Sequence, residues 1–341
     1  MTTTASHANH SDSPRSGPGS GRRPRGRLLG ALVAASLALA GLSACSSEAD
    51  SSGKPVLRVG VQKDGVRAVL QEAGLLEDLP YEIEWAEFTA GPPIVEAAAA
   101  DQIDVAWVGS APPIFGAAAG ADFKVVAQVQ ERDNQENSIL VPADSDIQSV
   151  ADLKGKEIAV GKGTSAHGLL LGALTRNGLT LDDVKANYLA PADGLAAFTS
   201  GDVDAWVVWD PFVTQVIEQS GAREITGGAP DEQGVQFEIA SAKSLDDATK
   251  REHIEHFVGL LQEAWVWAID NSDAWGDGWA AESGLPAEVT RAVAKKKAAD
   301  FGPVTEETIA AQQALADAFL EAGELPQAID FASIVEQGLI K

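Results

Sequence analysis

Two segments about one hundred residues apart repeat one pattern, and this duplication limits the folds open to the chain. The segments are DQIDVAW at residues 101–107 and DVDAW at residues 202–206, with Asp104 aligned to Asp204. Each follows a run of small residues typical of a helix, then continues into a short apolar strand and a proline-containing turn. Alternation of helices with buried strands at this spacing predicts two similar α/β lobes with parallel sheets.

Strand-to-helix junctions occur at matching places in the two copies. Gln62 lies 48 residues before Ser110, and Gly163 lies 47 residues before Asp210. In parallel α/β sheets, ligands bind beyond the carboxyl ends of the strands, where helices begin. We therefore expect four junctions to face one cleft between the lobes, at Gln62, Ser110, Thr164 and Asp210.

Two of these junctions have the residues of an anion site. Helix N-termini leave about four backbone N–H groups unpaired and carry roughly half a positive charge, so they hold anions without Lys or Arg. Ser110 precedes Ala111 and two prolines, as an N-cap residue does, while Thr164 and Ser165 follow a Gly-Lys-Gly stretch and add hydroxyl donors. The set suits a small tetrahedral oxyanion such as a sulfonate, whereas helix capping alone explains each residue taken singly.

Other side chains permit different chemistry. The Gly-Lys pair at residues 161–162 is followed by glycine instead of the Ser or Thr of a nucleotide-binding loop, so we expect no ATP and no other cofactor. His167, inside the helix after Thr164, fits either a core or a pocket lining. His253 and His256 have metal-ligand spacing, but a solvated helix face is favoured and we expect no metal. Trp209 adjoins a turn, where it packs either in the core or on an alkyl chain.

Charge and cysteine content exclude several classes of function. The formal net charge is −25, and nucleic-acid recognition depends on clustered Lys and Arg, so we expect no nucleic-acid partner. Cys45 is the only cysteine, which excludes an internal disulfide and a cysteine-rich zinc site. Thiol catalysis in the folded body is excluded for the same reason.

The beginning of the chain is typical of bacterial export. Basic residues precede residues 28–42, an uncharged apolar stretch that is shorter than the roughly 20 residues needed to cross a bilayer. The next residues, ending at Cys45, resemble the lipobox of lipoproteins, in which the cysteine is lipidated. We predict a signal peptide over residues 1–44, a lipid anchor at Cys45 and a flexible tether over residues 45–55. An ordinary secretory signal and an uncleaved anchor are the alternatives.

Several ordered blocks resemble the aliphatic-sulfonate-binding proteins of bacterial ABC importers, which are related to taurine- and nitrate-binding proteins. The blocks include LRVGVQK at residues 57–63, GTSAH at residues 163–167, and GDVDAW at residues 201–206 continuing to WDP at residues 209–211. The resemblance covers nearly the whole chain after the signal peptide. It implies an α/β, periplasmic-binding-protein-like (type II) fold, in which two lobes joined by hinge strands close around a ligand.

The resemblance also implies roles for individual residues. Contacts to the sulfonate oxygens fall to the following groups: the side chains of Gln62, Ser110, Thr164 and Ser165, and the backbone N–H of Ala111. Trp209 and Asp210 would close the cleft from the second lobe, and His167 matches a family histidine near the pocket. The turn GSAP at residues 109–112 departs from the aspartate-containing turn common in sulfonate binders and is closer to that of taurine binders. We expect alkanesulfonates as ligands, with taurine second and nitrate third.

The remaining expectations concern domains and partners. We place lobe 1 at residues 56–137 plus 239–341 and lobe 2 at residues 138–238. The resemblance implies a monomer on the extracytoplasmic face of the cell membrane that delivers its ligand to an ABC permease and its cytoplasmic ATPase for sulfur supply. An enzyme on the same fold is a remote alternative, because relatives that desulfinate aryl sulfinates use a cysteine, and here the only cysteine belongs to the anchor.

Overall fold

A computed structural model describes residues 53–132, 136–225, 234–297 and 299–340 of the chain. The predicted signal peptide, the anchor residue Cys45 and most of the tether lie outside the described residues. Within the described ranges, no helix combines the length and the apolar character needed to cross a membrane.

The described residues form strands and helices in alternation. The strands are β1 (Val56–Val61), β2 (Glu82–Glu87), β3 (Val105–Gly109), β4 (Phe123–Glu131), β5 (Asn137–Val141), β6 (Glu157–Val160), β7 (Lys185–Tyr188), β8 (Ala205–Trp209), β9 (Arg223–Glu224), β10 (Val235–Ser241) and β11 (Ala299–Gly302). The α-helices are α1 (Val66–Glu72), α2 (Gly91–Ala99), α3 (Pro112–Ala118), α4 (Ser165–Arg176), α5 (Pro191–Ser200), α6 (Phe212–Ser220), α7 (Ala242–Asp246), α8 (Ala248–Asp270), α9 (Ser272–Ser283), α10 (Ala287–Lys296) and α11 (Glu306–Glu321). Short 3-10 helices lie at Val150–Leu153, Leu181–Asp183 and Phe331–Ile334.

The strands form two sheets with related topologies. The larger sheet has the order β11-β4-β10-β3-β1-β2, and the smaller has the order β7-β6-β8-β5-β9. In the larger sheet β1 pairs in parallel with β2 and β3, and β10 is antiparallel to β3. In the smaller sheet β6 pairs in parallel with β7 and β8, and β5 is antiparallel to β8. This shared order confirms the two α/β lobes predicted from the sequence repeat. The expectation of parallel sheets was wrong in part, because the strands at the hinge, β4, β5 and β10, pair antiparallel with their neighbours and make both sheets mixed.

The aligned aspartates of the repeat make the same contacts in both copies. The Asp104 carboxylate accepts a hydrogen bond from the Arg58 N–H at 2.8 Å, and the Asp204 carboxylate accepts one from the Glu157 N–H at 2.9 Å. The backbone N–H of Asp104 donates to the Arg58 carbonyl, and the backbone N–H of Asp204 donates to the Glu157 carbonyl, both at 2.8 Å. The repeated aspartate therefore ties the start of one parallel strand to the turn before its neighbour.

Two hinge crossings join the sheets. The chain leaves the larger sheet after β4, enters the smaller sheet at β5, and returns between β9 and β10. The expected return near residues 238–239 falls inside β10, all seven residues of which pair with β4 in the larger sheet. We use lobe 1 for the larger sheet with the helices packed on it, and lobe 2 for residues 137–225.

Helices cover both faces of each sheet. In lobe 1, one face packs under α1, α8, α9 and α10, and the other under α2, α3 and α11. In lobe 2, α4 covers one face while α5 and α6 cover the other. The C-terminal helix α11 also contacts lobe 2, since Leu315 and Phe319 lie against Gly168 of α4.

Candidate functional site

A small cavity of about 20 Å³ lies where the two lobes and the hinge meet, and we call it the deep chamber. Its lining combines junction residues with residues near the hinge: Gln62, Asp64, Gly91, Trp107, Gly109, Pro112, Glu136, Thr164, Ser165, Trp209 and Gln236. The lobes approach closely here, because a Cβ added to Gly109 of lobe 1 would lie 2.5 Å from the Ser165 Oγ of lobe 2. The structure thus shows a closed cleft.

The N-terminus of α4 presents hydrogen-bond donors to this chamber. The Thr164 carbonyl accepts the N–H groups of His167 and Gly168. Among the described residues, no acceptor is found for the N–H groups of Ser165 and Ala166. The Thr164 hydroxyl already donates to the Gly161 carbonyl at 2.7 Å. Donors free for an anion are therefore the Ser165 hydroxyl and the first N–H groups of the helix, which carry its partial positive charge.

The structure brings four of the predicted site residues together and places four elsewhere. Gln62, Thr164, Ser165 and Trp209 line the deep chamber. The residues outside its lining are Ser110, Ala111, His167 and Asp210.

The interpretation of Ser110 as a helix N-cap was wrong. Helix α3 begins at Pro112, so its N-cap is Ala111 and no side chain caps it. Proline favours the first helical position, because its φ is fixed and its missing N–H would be unpaired there anyway. Ser110 is 8% exposed, and its neighbours Gly109 and Pro112 line the chamber.

Asp210 is committed to other partners. Its carboxylate accepts the Thr214 N–H at 2.9 Å and lies 3.4 Å from the Lys296 Nζ. The side chain is 2% exposed, and Asp210 directly precedes Pro211, the N-cap residue of α6. In this closed structure, a ligand in the deep chamber does not meet Asp210.

His167 is buried beside the chamber. Its Nδ1 accepts a hydrogen bond from the Gly163 N–H at 3.3 Å, and its Nε2 lies 3.4 Å from the Tyr188 hydroxyl. Burial lowers the pKa of His167 to about 4, with Lys162 acting in the same direction and Glu324 opposing. The ring is therefore neutral at pH 7.

Carboxylates near the hinge line the chamber and were missed in the sequence. Burial raises the pKa of Asp64 and of Glu136. The Glu136 carboxylate accepts from the buried Lys297 at 2.9 Å, while Glu131 accepts from Gln236 at 2.8 Å. Asp64 follows the Gln62 junction closely and so had a local signal, but the other residues meet only through the long-range pairing of the hinge strands.

This charge distribution selects among anions. No Lys or Arg is among the described residues lining the deep chamber, and the nearby Lys297 is already paired with Glu136. A monoanion held by N–H and hydroxyl donors fits such a site. A dianion would bring a second negative charge into this buried site without a free cation to pair with it, which the cost of burying an unpaired charge disfavours.

A second, larger cavity of about 340 Å³ adjoins the first, and we call it the outer chamber. Its lining comes from both lobes: Gln62, Lys63, Glu87, Phe88, Thr89, Ala190, Pro191, Ala192, Trp209, Pro211 and Phe212. Gln62 and Trp209 line both chambers. The Trp209 and Phe212 rings are perpendicular with centroids 6.3 Å apart, and Phe88 faces them from lobe 1. The outer chamber therefore offers aromatic walls next to the anion donors.

The two histidines considered as a metal site, His253 and His256, both lie against Tyr81. Across the described ranges, no group of three or more His, Cys, Asp or Glu side chains is placed to hold a metal ion. His256 instead shares a hydrogen bond with the Tyr81 hydroxyl at 2.9 Å, and the His253 ring packs 4.9 Å from the same tyrosine ring.

Known proteins are similar to this chain in sequence and in fold. Residues 75–295 match the family described as ABC transporter, phosphonate, periplasmic substrate-binding protein. An aliphatic sulfonates-binding protein of Escherichia coli (strain K12) is 36% identical over 323 residues, covering 88% of this chain and 95% of that protein. One of Bacillus subtilis (strain 168) is 32% identical, covering 91% of this chain and 94% of that protein.

The fold agrees with these relatives. The structure of the alkanesulfonate-binding protein SsuA from Xanthomonas axonopodis pv. citri, bound to MOPS, is 35% identical with a TM-score of 0.77. The match covers 83% of this chain and 99% of that one. Two lobes closing on donor groups at a helix N-terminus, together with these matches, show that the chain belongs to the aliphatic-sulfonate-binding proteins, the substrate-binding components of ABC importers.

Proposed function

We propose that this protein captures alkanesulfonates outside the cytoplasm and delivers them to an ABC permease. The observation that carries the proposal is the N-terminus of α4, whose Ser165 faces lobe 1 across a closed cleft beside an aromatic chamber. The sulfonate group would accept from the Ser165 hydroxyl and the N–H groups of Ser165 and Ala166. The alkyl chain would pass between Gln62 and Trp209 into the outer chamber.

The two chambers favour an alkyl tail over the alternatives. Phe88, Trp209 and Phe212 give the outer chamber apolar walls that gain from removing methylene groups from water. Nitrate has no tail and would leave this chamber unfilled. Taurine is the second candidate, because Asp64 and Glu136 line the deep chamber and would accept from its ammonium group.

We infer binding and not catalysis. The only cysteine, Cys45, lies in the predicted anchor, so a thiol nucleophile for carbon–sulfur cleavage would not come from this chain's folded body. Incubation of the protein with hexanesulfonate should release no sulfite above the rate of a buffer control. Sulfite released in proportion to protein concentration would instead support the enzyme alternative.

We propose that lipid on Cys45 holds the protein at the extracytoplasmic face of the membrane, where it acts as a monomer. The supporting observation is the lipobox-like sequence that ends at Cys45 after an apolar stretch. Wild-type protein should partition into detergent, and a Cys45→Ser protein should remain in the aqueous phase. Equal partition of the two would reject the anchor without touching the ligand proposal.

The length of the ligand's alkyl chain is the variable that tests the alkanesulfonate assignment. We expect calorimetric titration with methane-, butane- and hexanesulfonate to show affinity rising about fourfold for each methylene buried, from about 0.8 kcal/mol per group. Butylphosphonate is the headgroup control matched to butanesulfonate, and it should bind more weakly at a pH where it is dianionic. Affinity independent of chain length, or taurine binding more tightly than butanesulfonate, would overturn the alkanesulfonate assignment.

A further inference from the structure

Residues 161–164, which precede α4, are called here the anion-binding loop. A group of polar side chains crosses between the lobes beside this loop. Glu324 follows α11 in lobe 1, next to Leu325, which is buried in the lobe 1 core. Its Oε1 accepts a hydrogen bond from the Tyr188 hydroxyl at 2.9 Å, and its Oε2 lies 2.9 Å from the Lys162 Nζ. Both partners belong to lobe 2, so Glu324 makes a charged contact between the lobes.

His167 continues this contact to the anion-binding loop. Because Tyr188 donates to Glu324, the hydroxyl oxygen is free to accept from the His167 Nε2, 3.4 Å away. With its proton on Nε2, the neutral ring leaves Nδ1 as an acceptor for the Gly163 N–H. A single tautomer therefore satisfies the whole series from Glu324 to Gly163, which directly precedes the N-cap residue Thr164.

Packing fixes the ring in this series. His167 is fully buried, and its centroid lies 5.9 Å from Phe115 and 5.1 Å from Phe319, both of lobe 1. The Phe115 ring also lies against Gly163, where a Cβ would approach it to 3.1 Å. The loop that begins α4 is thus held from lobe 1 by ring contacts and by the series of hydrogen bonds from Glu324.

We propose that Glu324 is a positioning residue: through Tyr188 and His167 it holds the loop at Gly163 in the geometry in which α4 receives the sulfonate, once the lobes have closed. The inference rests on the proposed function for its ligand. It assigns the C-terminal segment after α11 a part in ligand capture, although this segment lines neither chamber. Loss of the contact lowers the population of the closed, binding-competent state, and apparent affinity falls by that fraction.

We call the hydrogen-bonded series from Glu324 through Tyr188 and His167 to Gly163 the relay. The test compares two variants of the relay with a matched control. Glu324→Gln removes the charge, and Tyr188→Phe removes the hydroxyl while keeping the ring. Glu157→Gln is the control, because Glu157 also accepts from a lysine, Lys185, and from one neutral donor, but within lobe 2. We expect both relay variants to weaken hexanesulfonate binding about tenfold, the size of a lost charge-assisted hydrogen bond, with the control unchanged.

A spectroscopic readout separates positioning from general destabilisation. Nuclear magnetic resonance spectra of the full protein are recorded with and without hexanesulfonate. In both relay variants, the resonances of the Gly163 amide and the His167 ring nitrogens should shift from their wild-type positions. In the control variant they should stay at the wild-type positions under both conditions. Unchanged resonances, or affinity losses equal to the control's, would overturn the relay. If wild-type protein binds no sulfonate, the proposed function fails, and the Gly163 and His167 signals still decide the relay.

Discussion

At the scale of single residues, Gly109 sets how closely the lobes approach. A Cβ at this position would lie 2.5 Å from the Ser165 Oγ and 3.3 Å from its Cβ. We expect Gly109→Ala to hold the cleft partly open and to weaken hexanesulfonate binding about tenfold or more, while the midpoint of urea unfolding changes little, since the clash lies between lobes and not within a core. Calorimetric titration and urea unfolding of the same preparation measure both effects.

Gly259→Ala provides the control for this substitution. Gly259 lies in α8 with no atom within 4 Å of an added Cβ, so alanine should leave affinity unchanged and stabilise the helix slightly. Equal affinity of Gly109→Ala and wild type would contradict the close approach of the lobes at Ser165.

Phe212 forms part of the aromatic wall, and its effect should depend on the ligand's tail. We expect Phe212→Ala to weaken hexanesulfonate binding by about 1–2 kcal/mol and to leave methanesulfonate binding nearly unchanged, because only the longer ligand reaches the outer chamber. Titration with both ligands provides its own control. A similar loss for both would mean that Phe212 acts on closure of the cleft and not on the tail.

At the scale of elements, the hinge strand β4, paired with β10, buries the carboxyl group of Glu131 and shifts its pKa. Burial raises the pKa of Glu131 to about 8, with Glu136 acting in the same direction and Lys297 opposing. Folded protein therefore binds this proton more tightly than unfolded protein does. The stabilising contribution is full below the ordinary pKa of a glutamate and is lost as the pH rises through about 8.

Glu131→Gln cannot ionise, so it should remove this loss. Relative to wild type, we expect its free energy of unfolding to rise by about 1–3 kcal/mol between about pH 6 and about pH 9. Urea unfolding at both values measures the difference. Glu157→Gln is the control, because the hydrogen bond from Lys185 lowers the pKa of Glu157 and keeps this group ionised at both pH values. Its free energy of unfolding should therefore differ from that of wild type by the same amount at both pH values. The same behaviour in Glu131→Gln would contradict a protonated Glu131.

Local sequence signals account for some elements and not for others. The helix expected after Thr164 is confirmed, since α4 spans Ser165–Arg176. Helix α3 starts later than expected because Pro112 takes the first helical position. The relay through Tyr188 had no signal at all, because it joins residues more than one hundred positions apart in the chain.

At the scale of the whole molecule, the repeat was sufficient to predict two lobes and a cleft between them. The repeated aspartates, Asp104 and Asp204, make the same strand contacts in both copies. The repeat did not reveal the carboxylates near the hinge or the contact of α11 with lobe 2, because these lie outside the duplicated unit. The proposed anion site was predicted from local helix chemistry, whereas the contacts that bring the lobes together join distant segments.

The most direct test of the account is calorimetric titration of the purified protein with hexanesulfonate, taurine and nitrate at several temperatures. We predict one hexanesulfonate per chain, a negative heat-capacity change from burial of the tail in the outer chamber, and binding at least about tenfold tighter than that of taurine or nitrate. Binding of nitrate or taurine as tight as that of hexanesulfonate, or no binding of hexanesulfonate, would contradict it.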